Sequence, residues 1–585
     1  GAVDENALRA IDAFVLTAAR HDLAVCFTFF AFRPPLYGGD NPYLDPRSLA
    51  GQEALLTLVA SRYRGVGWIH WDLINEPSYA PADALWTNRP IGDAFEAAAW
   101  AEWVRRRHGD AAVPAARDRW RDAGPAPLAV PAAAALAPAM VREERVPAKG
   151  FDFRLFTQEA VAGWAARLRA VLRTAGGDAL VTLGQDEAGA TLSPSPQFHW
   201  EAVDYTAIHT WWSNDDLLWD AVVSKVPEKP CLVQETGMMR LEDPDGFPWR
   251  TPEAAARLLE RKYALAFAGR AAGAVQWAWN VNPYQPLDNE AVIGCIRPDG
   301  TAKPELRVLR EFAAFFAVAA PRLDDWEPDP VVLVLPHARM FSGRTQPAAA
   351  TRRAVRVLAD RFGVVPTALA DLELSPARLV EARLVLVPVP ELMDEAAAGS
   401  LQAAAAAGAR VLVTGAVTGD PYGRVPAALA ALELVDPGRP VTLREPLSDG
   451  WATFDETKGE WFRAALSPRR EGTATVWHEP LPLELAREAA PLAALYGRAL
   501  AAAGLPAAPA APAEAPMTAR VLRTPGVALV ICVNETSADA VRAVDVDGYR
   551  LDVPVPAGRS RLVLWDRAAR SVIAQTPGAP VTRVR

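Results

Sequence analysis

The sequence predicts an α/β protein of several domains, and three observations carry that prediction. Up to about residue 320, short apolar runs alternate with longer helical patterns. A second alternation of the same kind begins after Pro330, and the segment from residue 517 onwards contains only strand-like runs. Alternating strands and helices indicate parallel sheets covered by helices, whereas closely spaced strands indicate an all-β domain. A chain of 585 residues is also too long for one hydrophobic core.

The first predicted domain covers residues 1–322 and contains six strands. The helical pattern Glu5–His21 precedes them, and the patterns Phe153–Thr174 and Pro252–Ala268 lie between them. The predicted strands are Ala24–Phe30, Val66–Ile74, Ala179–Leu183, Tyr205–His209, Pro230–Gln234 and Gly273–Trp279. Because the strand-end motifs below are typical of strands three to eight of a (β/α)8 barrel, we expect a TIM barrel whose first two strands are missing from the given sequence. The Ala-, Pro- and Arg-rich region Trp86–Gly150 is expected to be an insertion on the rim of that barrel.

The second predicted domain covers residues 328–504, and the third covers residues 517–585. The second has the alternation of a flavodoxin-like domain: strand Val331–Leu335, helix Ala348–Phe362, strands Val364–Ala368 and Arg383–Pro388, helix Glu395–Ala407, strand Arg410–Thr414 and helix Pro491–Ala503. The Ala- and Pro-rich linker Leu505–Pro516 follows. The strand-like runs of the third domain are separated by Gly, Pro and Asn, so we expect a small β-sandwich there.

Charge and composition disfavour several classes of protein. The formal net charge of −9 disfavours a nucleic-acid or anionic-membrane partner, since both require a basic surface. No apolar run approaches the roughly 18 residues of a membrane span, so we expect a soluble protein. The four cysteines form no CxxC pair and no Cys/His cluster, which predicts that no metal is bound. Such cysteines are typical of a reducing compartment, and a bacterial cytoplasm is the expected location.

Two glutamates stand where predicted buried strands end. The apolar run WIHWDLI closes in Asn75-Glu76-Pro77, and the run CLVQ closes in Glu235. A carboxylate at the end of a buried strand is costly unless it is paired or functional. Retaining glycoside hydrolysis needs two carboxyl groups about 5–5.5 Å apart, a geometry that the strand ends of a barrel can supply. The alternative is that each glutamate is a rim residue paired with an arginine.

On these motifs, the first 320 or so residues resemble the clan A glycoside hydrolases, and the Asn-Glu-Pro string resembles family 5 in particular. The resemblance implies that Glu76 is the acid/base, that Glu235 is the nucleophile and that Asn75 binds the sugar 2-hydroxyl. In the string YTAIHTWW it implies a substrate-binding role for His209. Trp211 stands where family 5 has a tyrosine that contacts the nucleophile, so Trp211 is a candidate substrate contact that departs from that family.

The resemblance also assigns residues after the nucleophile. The clan places a tryptophan at the end of strand eight, beneath the sugar that is cleaved, and the string AVQWAWNVNPY offers Trp277 and Trp279. Alternation puts both on one face of the predicted strand, with the barrel core as the alternative place for Trp277. Glu290, in the segment that follows, is a further candidate for sugar contact.

The order of the domains resembles that of the family-42 β-galactosidases and the family-164 β-mannosidases. The second domain resembles the trimerisation domain of family 42, which is itself akin to class I glutamine amidotransferases, so the resemblance implies a homotrimer. An amidotransferase would need a nucleophilic cysteine, and none occurs between Cys295 and Cys532. We therefore expect this domain to serve assembly rather than catalysis. The loop after Leu335 is not of the phosphate-binding kind, and no cofactor is expected.

Together these features predict a retaining exo-β-glycosidase that removes a terminal β-galactosyl or β-mannosyl residue. Two alternatives remain open. One is an endo-acting mannanase or cellulase, which would release a ladder of oligosaccharides instead of a monosaccharide. The other is a catalytically inactive barrel that only binds carbohydrate, against which the presence of both glutamates argues.

Overall fold

A computed structural model describes residues 3–109, 112–120, 128–136, 148–186, 194–210, 217–238, 245, 250–284, 289–342, 346–434, 475–507 and 517–584. The chain divides into two compact units. The first comprises Gly1–Ala137, Val146–Ala207 and Glu228–Pro230. The second comprises Pro138–Arg145, Ile208–Pro227 and Cys231–Arg585. Within the described residues, none of the helices combines the length and the hydropathy needed to cross a bilayer.

The first unit contains a parallel sheet in the order β1-β2-β3. Its strands are β1 (Val25–Ala31), β2 (Ile69–Asn75) and β3 (Val181–Gly184). Its helices are α1 (Glu5–Arg20), α2 (Pro46–Arg62), α3 (Ala94–His108), α4 (Ala112–Trp120), α5 (Ala133–Leu136), α6 (Ala148–Gly176) and α7 (Pro196–His199). The central strand β2 is deeply buried, since Trp71, Leu73 and Ile74 are all at most 1% exposed.

Local capping explains where two of these helices begin. The carboxylate of Asp4 accepts hydrogen bonds from the backbone N–H groups of Asn6 and Ala7, which satisfies donors that the first turn of α1 leaves open. Asp45 caps α2 in the same way, with Pro46 at the first helical position, where proline needs no N–H partner. Helix α2 was not among the predicted helices, and α3 to α5 lie in the region that was predicted as an insertion.

The second unit begins with another parallel sheet, in the order β4-β5-β6. Strand β4 (Thr206–Thr210) enters this unit at Ile208, and β5 (Cys231–Thr236) and β6 (Ala271–Gln276) follow. The accompanying helices are α8 (Leu217–Ser224), α9 (Pro252–Ala268) and α10 (Pro304–Ala319). All six strands predicted for the first 322 residues are thus present. The prediction was wrong at the end of the sixth, because β6 stops at Gln276 rather than at Trp279.

A five-stranded parallel sheet comes next in the second unit, in the order β13-β11-β9-β7-β8. Counted along the chain, this is the order 2-1-3-4-5 of flavodoxin-like sheets. The strands are β7 (Val331–Leu335), β8 (Thr367–Ala370), β9 (Leu384–Pro388), β11 (Arg410–Thr414) and β13 (Val476–Glu479), with a small pair β10 (Glu391–Leu392) and β12 (Val417–Gly419). The helices are α11 (His337–Met340), α12 (Gln346–Phe362), α13 (Glu395–Ala406), α14 (Ala427–Ala431) and α15 (Ala490–Ala502). Strand β13 had not been predicted.

The C-terminal part of the second unit is an antiparallel β region of two sheets, ordered β14-β15-β18-β19 and β16-β17-β20. The strands are β14 (Met517–Arg523), β15 (Val527–Asn534), β16 (Ala540–Val546), β17 (Tyr549–Val555), β18 (Ser560–Asp566), β19 (Ser571–Gln575) and β20 (Thr582–Val584). Apolar side chains from both sheets form one core, which includes Val530, Val553 and Trp565. The predicted all-β character is therefore confirmed. The linker predicted at Leu505–Pro516 lies mostly outside the described residues.

Candidate active site

Glu76 lies at the carboxyl end of β2, immediately after the last residue of the strand. Its backbone N–H donates to the carbonyl of Gly184 at 2.8 Å, so it is tied to the end of β3. On the other side, the N–H of Phe32 donates to the carbonyl of Asn75 at 2.6 Å. Glu76 has φ +50°, a left-handed conformation that is uncommon for a residue with a Cβ atom. The chain thus turns sharply at Glu76, whose side chain is half-buried.

Asp72, which the sequence analysis did not single out, organises this strand end. The residue is completely buried, and its Oδ1 accepts from the N–H groups of Ile74 at 3.2 Å and Gly184 at 2.9 Å. Its Oδ2 accepts from Oγ1 of Thr28 at 2.9 Å. A buried carboxylate is tolerated when its oxygens accept several hydrogen bonds. Asp72 therefore joins β1, β2 and β3 just below Asn75 and Glu76.

Trp86 contacts Glu76 directly. Its indole Nε1 donates to Oε2 of Glu76 at 3.2 Å, and the residue is 54% exposed. In the sequence, Trp86 was recognisable only as the first residue of the region predicted as an insertion. The only available signal was an aromatic residue a short distance after a strand-end Glu, which is too common to identify a contact.

Glu235 lies near the carboxyl end of β5, with His209 beside it on β4. Nδ1 of His209 is 3.6 Å from Oε2 of Glu235, and the two side chains are 1% and 18% exposed. The neighbouring residues hold the two strand ends in register, because Oγ1 of Thr236 donates to the carbonyl of Thr210 at 2.8 Å. The structure thus brings the side chains of His209 and Glu235 together.

A buried lysine supports this pair of strand ends. Nζ of Lys262, on α9, donates to the carbonyl of Gly237 at 3.1 Å and to that of Thr210 at 3.4 Å, and the residue is fully buried. Oγ1 of Thr210 in turn donates to Oδ2 of Asp220, also buried, at 2.6 Å. Lys262 was missed by the sequence analysis. The sequence feature that could have identified Lys262 is a charged residue within the otherwise apolar face of a predicted helix. Such a residue is rare unless its charge is compensated.

Trp277 and Trp279 lie beyond the end of β6, so the alternation argument for them does not apply. The N–H of Trp277 donates to the carbonyl of Thr236 at 2.8 Å, and the carbonyl of Trp279 accepts from the N–H of Cys295 at 2.8 Å. The two side chains are 46% and 58% exposed, which is not the core position that was the alternative for Trp277. The peptide between Trp277 and Ala278 is cis.

Close backbone packing joins Trp277 to the end of β5. A Cβ atom added to Gly237 would lie 2.5 Å from the carbonyl oxygen of Trp277, so any other residue type would require the backbone to move. Two predicted contacts cannot be placed in the same way, since Trp211 and the side chain of Glu290 lie outside the described residues.

Cys26 is the cysteine that lies in β1, and its thiol is 3.9 Å from the hydroxyl of Tyr205. Burial raises the pKa of the Cys26 thiol to about 12, with a smaller contribution from the negative charge of Asp72. The thiol is therefore protonated at neutral pH and is a poor nucleophile. Burial also lowers the pKa of nearby His70, whose Nδ1 is 2.6 Å from the Tyr205 hydroxyl.

Comparison with known proteins reveals similarity at the level of structure. No protein-family model and no curated protein sequence matches the chain. Among solved structures, a β-galactosidase from Bacillus circulans sp. alkalophilus matches with a TM-score of 0.68 and 13% identity, over 95% of this chain and 91% of the other. A β-galactosidase from the psychrophilic Marinomonas ef1 matches with a TM-score of 0.64 and 14% identity, over 93% and 87%.

A third similar structure has a different activity in its name. It is an exo-carrageenase of glycoside hydrolase family 42 from Bacteroides ovatus, with a TM-score of 0.56 and 12% identity, over 92% of this chain and 68% of the other. At such identities the likeness establishes the fold alone. The chain therefore has the fold of the family-42 β-galactosidases, a clan A glycoside hydrolase fold, which confirms the predicted resemblance to that clan and to family 42 at the level of the fold.

Proposed function

We propose that this protein is a retaining exo-β-glycosidase that removes a terminal β-galactosyl residue, or a β-mannosyl residue, by double displacement. The observation that carries the proposal is the place of two glutamates in the fold. Glu76 follows β2 directly and Glu235 lies at the end of β5. In barrels of this kind, catalytic residues come from the carboxyl ends of different strands.

In this proposal, β1 to β6 correspond to barrel strands three to eight. Glu76 is the acid/base and Glu235 the nucleophile. The carboxylate of Glu235 attacks the anomeric carbon while Glu76 gives its proton to the glycosidic oxygen, and the carbon–oxygen bond to the leaving group breaks. A water molecule then loses a proton to Glu76 and attacks the same carbon, which releases Glu235 and the sugar with its original configuration.

The surrounding residues have matching roles in the proposal. His209 orients the carboxylate of Glu235 and contacts the sugar, and the side chain of Asn75 binds the 2-hydroxyl, where a hydrogen bond strengthens as the oxocarbenium-like transition state forms. Trp277, Trp279, Trp211 and Glu290 are proposed sugar contacts.

Both steps use carboxyl groups and water only, so no cofactor is part of the proposed mechanism. The domain that contains β7 to β13 is proposed to serve assembly into a homotrimer, which light scattering on the purified protein tests.

Galactose ranks first among the proposed sugars because two of the structures of the same fold are β-galactosidases. Mannose and glucose differ from galactose at one or two ring hydroxyls, and such differences are decided by a few hydrogen bonds. The test is p-nitrophenol release from the β-galactoside, β-mannoside and β-glucoside by the wild type, Glu235→Ala, Glu76→Ala and the exposed control Glu201→Ala.

We expect one glycoside to be turned over, with little change in Glu201→Ala and losses of about 10²- to 10⁴-fold or more in kcat/KM in the other variants.

Added azide distinguishes the nucleophile from the acid/base. Glu235→Ala with azide should yield the α-glycosyl azide in one displacement, whereas Glu76→Ala should yield the β-glycosyl azide. Proton NMR should show the β-anomer of the free sugar first. Wild type that cleaves none of the glycosides contradicts the proposal, and oligosaccharide ladders from mannan or cellulose would indicate an endo-acting enzyme instead.

A further inference from the structure

The loop that carries Trp86 is anchored on both sides. The backbone N–H of Trp86 donates to Oγ of Ser78 at 2.8 Å, and the N–H of Ser78 donates to the carbonyl of Phe32 at 2.7 Å. After the tryptophan, Nδ2 of buried Asn88 donates to Oγ1 of Thr157 at 2.7 Å. An indole that is 54% exposed is thus presented by a backbone with fixed partners.

The indole also has two specific side-chain contacts. Its Nε1 donates to Oε2 of Glu76 at 3.2 Å. Its ring packs against that of Phe32, with centroids 5.0 Å apart and an interplanar angle of 62°, which is the edge-to-face arrangement that aromatic pairs favour. The edge of the indole is therefore oriented towards Glu76, while much of its surface remains accessible to solvent.

The three residues of this cluster share an unusual backbone conformation. Phe32, Glu76 and Trp86 have φ values of +58°, +50° and +57°. Each is a non-glycine residue in the left-handed region, which costs on the order of 1 kcal/mol or more per residue and which tends to occur at functional sites. Trp86 contacts both of the other residues, so the three form a cluster whose local geometry is held by its surroundings.

We propose that Trp86 forms the wall of the subsite that binds the leaving group and that it positions Glu76 as the acid/base. The inference rests on the proposed function, because it takes Glu76 to be the group that protonates the glycosidic oxygen. The glycosidic oxygen must lie next to the carboxyl group that protonates it. A residue that contacts this carboxyl group therefore also lies next to the leaving group. The ligand class is a sugar or aromatic aglycone, whose flat C–H-rich or aromatic face packs on an exposed indole.

The hydrogen bond gives Trp86 a second role, because it distinguishes the two oxygens of Glu76. Oε2 accepts from the indole, so the proton that is transferred to the leaving group is assigned to Oε1. This fixes the rotation of the carboxyl group without removing its proton. General acid catalysis depends on such placement within hydrogen-bonding distance of the oxygen that receives the proton.

The test compares Trp86→Phe and Trp86→Ala with the wild type, and Trp68→Phe serves as the matched control because Trp68 is also exposed, at 39%, and precedes β2. Two substrates of whichever sugar the wild type prefers are used. The 2,4-dinitrophenyl glycoside has a leaving group that needs little protonation, whereas the phenyl glycoside and the corresponding disaccharide need it fully.

For Trp86→Ala we expect kcat/KM to fall about tenfold to hundredfold for the phenyl glycoside and the disaccharide, and less than about threefold for the dinitrophenyl glycoside. Trp86→Phe keeps an aromatic face without the N–H donor. It should restore KM for the disaccharide but not kcat, because the aromatic face that packs on the leaving group is kept while the donor that orients the Glu76 carboxyl group is lost.

Equal losses on both leaving groups, or a Trp86→Phe variant with the wild-type kcat on the disaccharide, would overturn the inference while leaving the proposed function intact. Trp86 variants with the same kcat/KM values as Trp68→Phe on all substrates would also overturn the inference. Absence of any glycoside turnover by the wild type is a different result, which removes the proposed function and the inference together.

Discussion

Nδ1 of His209 lies 3.6 Å from Oε2 of Glu235, and the imidazole is 1% exposed whereas the carboxylate is 18% exposed. This distance is longer than that of a hydrogen bond and is that of a close polar contact. The histidine is therefore enclosed, whereas the carboxylate beside it is partly accessible to solvent.

The first prediction concerns this contact. His209→Ala should lower kcat/KM on the preferred glycoside about tenfold to hundredfold, the effect of losing one interaction with a charged group. His209→Asn should restore part of the loss, since an amide can still donate. His21→Asn, a substitution of an exposed histidine after α1, is the control and should leave kcat/KM unchanged. Wild-type kinetics in His209→Ala would show that this contact does not matter for catalysis.

The second prediction concerns the packing of Gly237 against Trp277. In Gly237→Ala the new methyl group would lie 2.5 Å from the Trp277 carbonyl oxygen, so the backbone must move. We expect a loss of about 1–3 kcal/mol in the free energy of unfolding and a lower kcat, measured by urea denaturation and steady-state kinetics. The control Gly163→Ala lies in α6 with open space around the new atom, and a gain of up to about 1 kcal/mol is expected. Similar behaviour of the two variants would contradict the close approach.

The third prediction concerns Glu484 and pH. Burial raises its pKa from 4.5 to about 7, although the hydroxyls of Tyr496 and Thr414 donate to it at 2.7 Å and 2.8 Å. The folded protein therefore binds a proton that the unfolded chain has lost, so stability falls as pH rises from 4.5 to about 7. The total loss is roughly 3 kcal/mol.

Glu484→Gln removes this dependence, because the amide does not ionise. Its thermal midpoint should match that of the wild type near pH 4.5 and exceed it by a growing margin up to pH 7 and above. Glu488→Gln, at an exposed position on the same segment, should follow the wild type throughout. A constant difference between Glu484→Gln and the wild type across this range would count against a raised pKa.

The fourth prediction concerns Glu260, which ties α9 to β18. Oε2 of Glu260 accepts from Nε of Arg559 at 2.6 Å, and Oε1 accepts from the backbone N–H of Ser560 at 2.7 Å. The glutamate side chain is 4% exposed. Because Glu260→Ala leaves the backbone N–H of Ser560 without its buried acceptor and removes one carboxylate from the guanidinium of Arg559, which is 23% exposed, it should cost about 1–3 kcal/mol.

Hydrogen exchange is the sharper measurement for that variant. The amides of Ser560–Asp566 should exchange faster in Glu260→Ala than in the wild type, since the N–H of Ser560 loses its acceptor. Glu253→Ala, at an exposed position in the first turn of the same helix, should change stability by no more than about 0.5 kcal/mol and leave exchange in β18 as it was. Unchanged exchange in Glu260→Ala would mean that the contact does not hold the strand.

Much of the fold was predictable wherever the local sequence pattern reflects the burial and the capping of the same residues in the folded protein. Strands β7 and β11 have the predicted bounds, because strands buried on both faces are continuous apolar runs that end where polarity returns. Helix α9 also has its predicted bounds, with Thr251 as its cap and Pro252 at its start. The end of β6 was not predictable, since Trp277 and Trp279 continue an apolar alternation although the ladder stops at Gln276.

The sequence by itself determined that Glu76 and Glu235 follow buried strands, because the apolar runs and the residues that end them are adjacent along the chain. Only the tertiary structure decided what surrounds these carboxylates. Trp86 reaches Glu76 through a loop with its own anchors, and Lys262 reaches Thr210 across 52 residues of sequence. Such contacts join segments that only tertiary packing brings together. They leave no periodic pattern in the sequence from which they could be predicted.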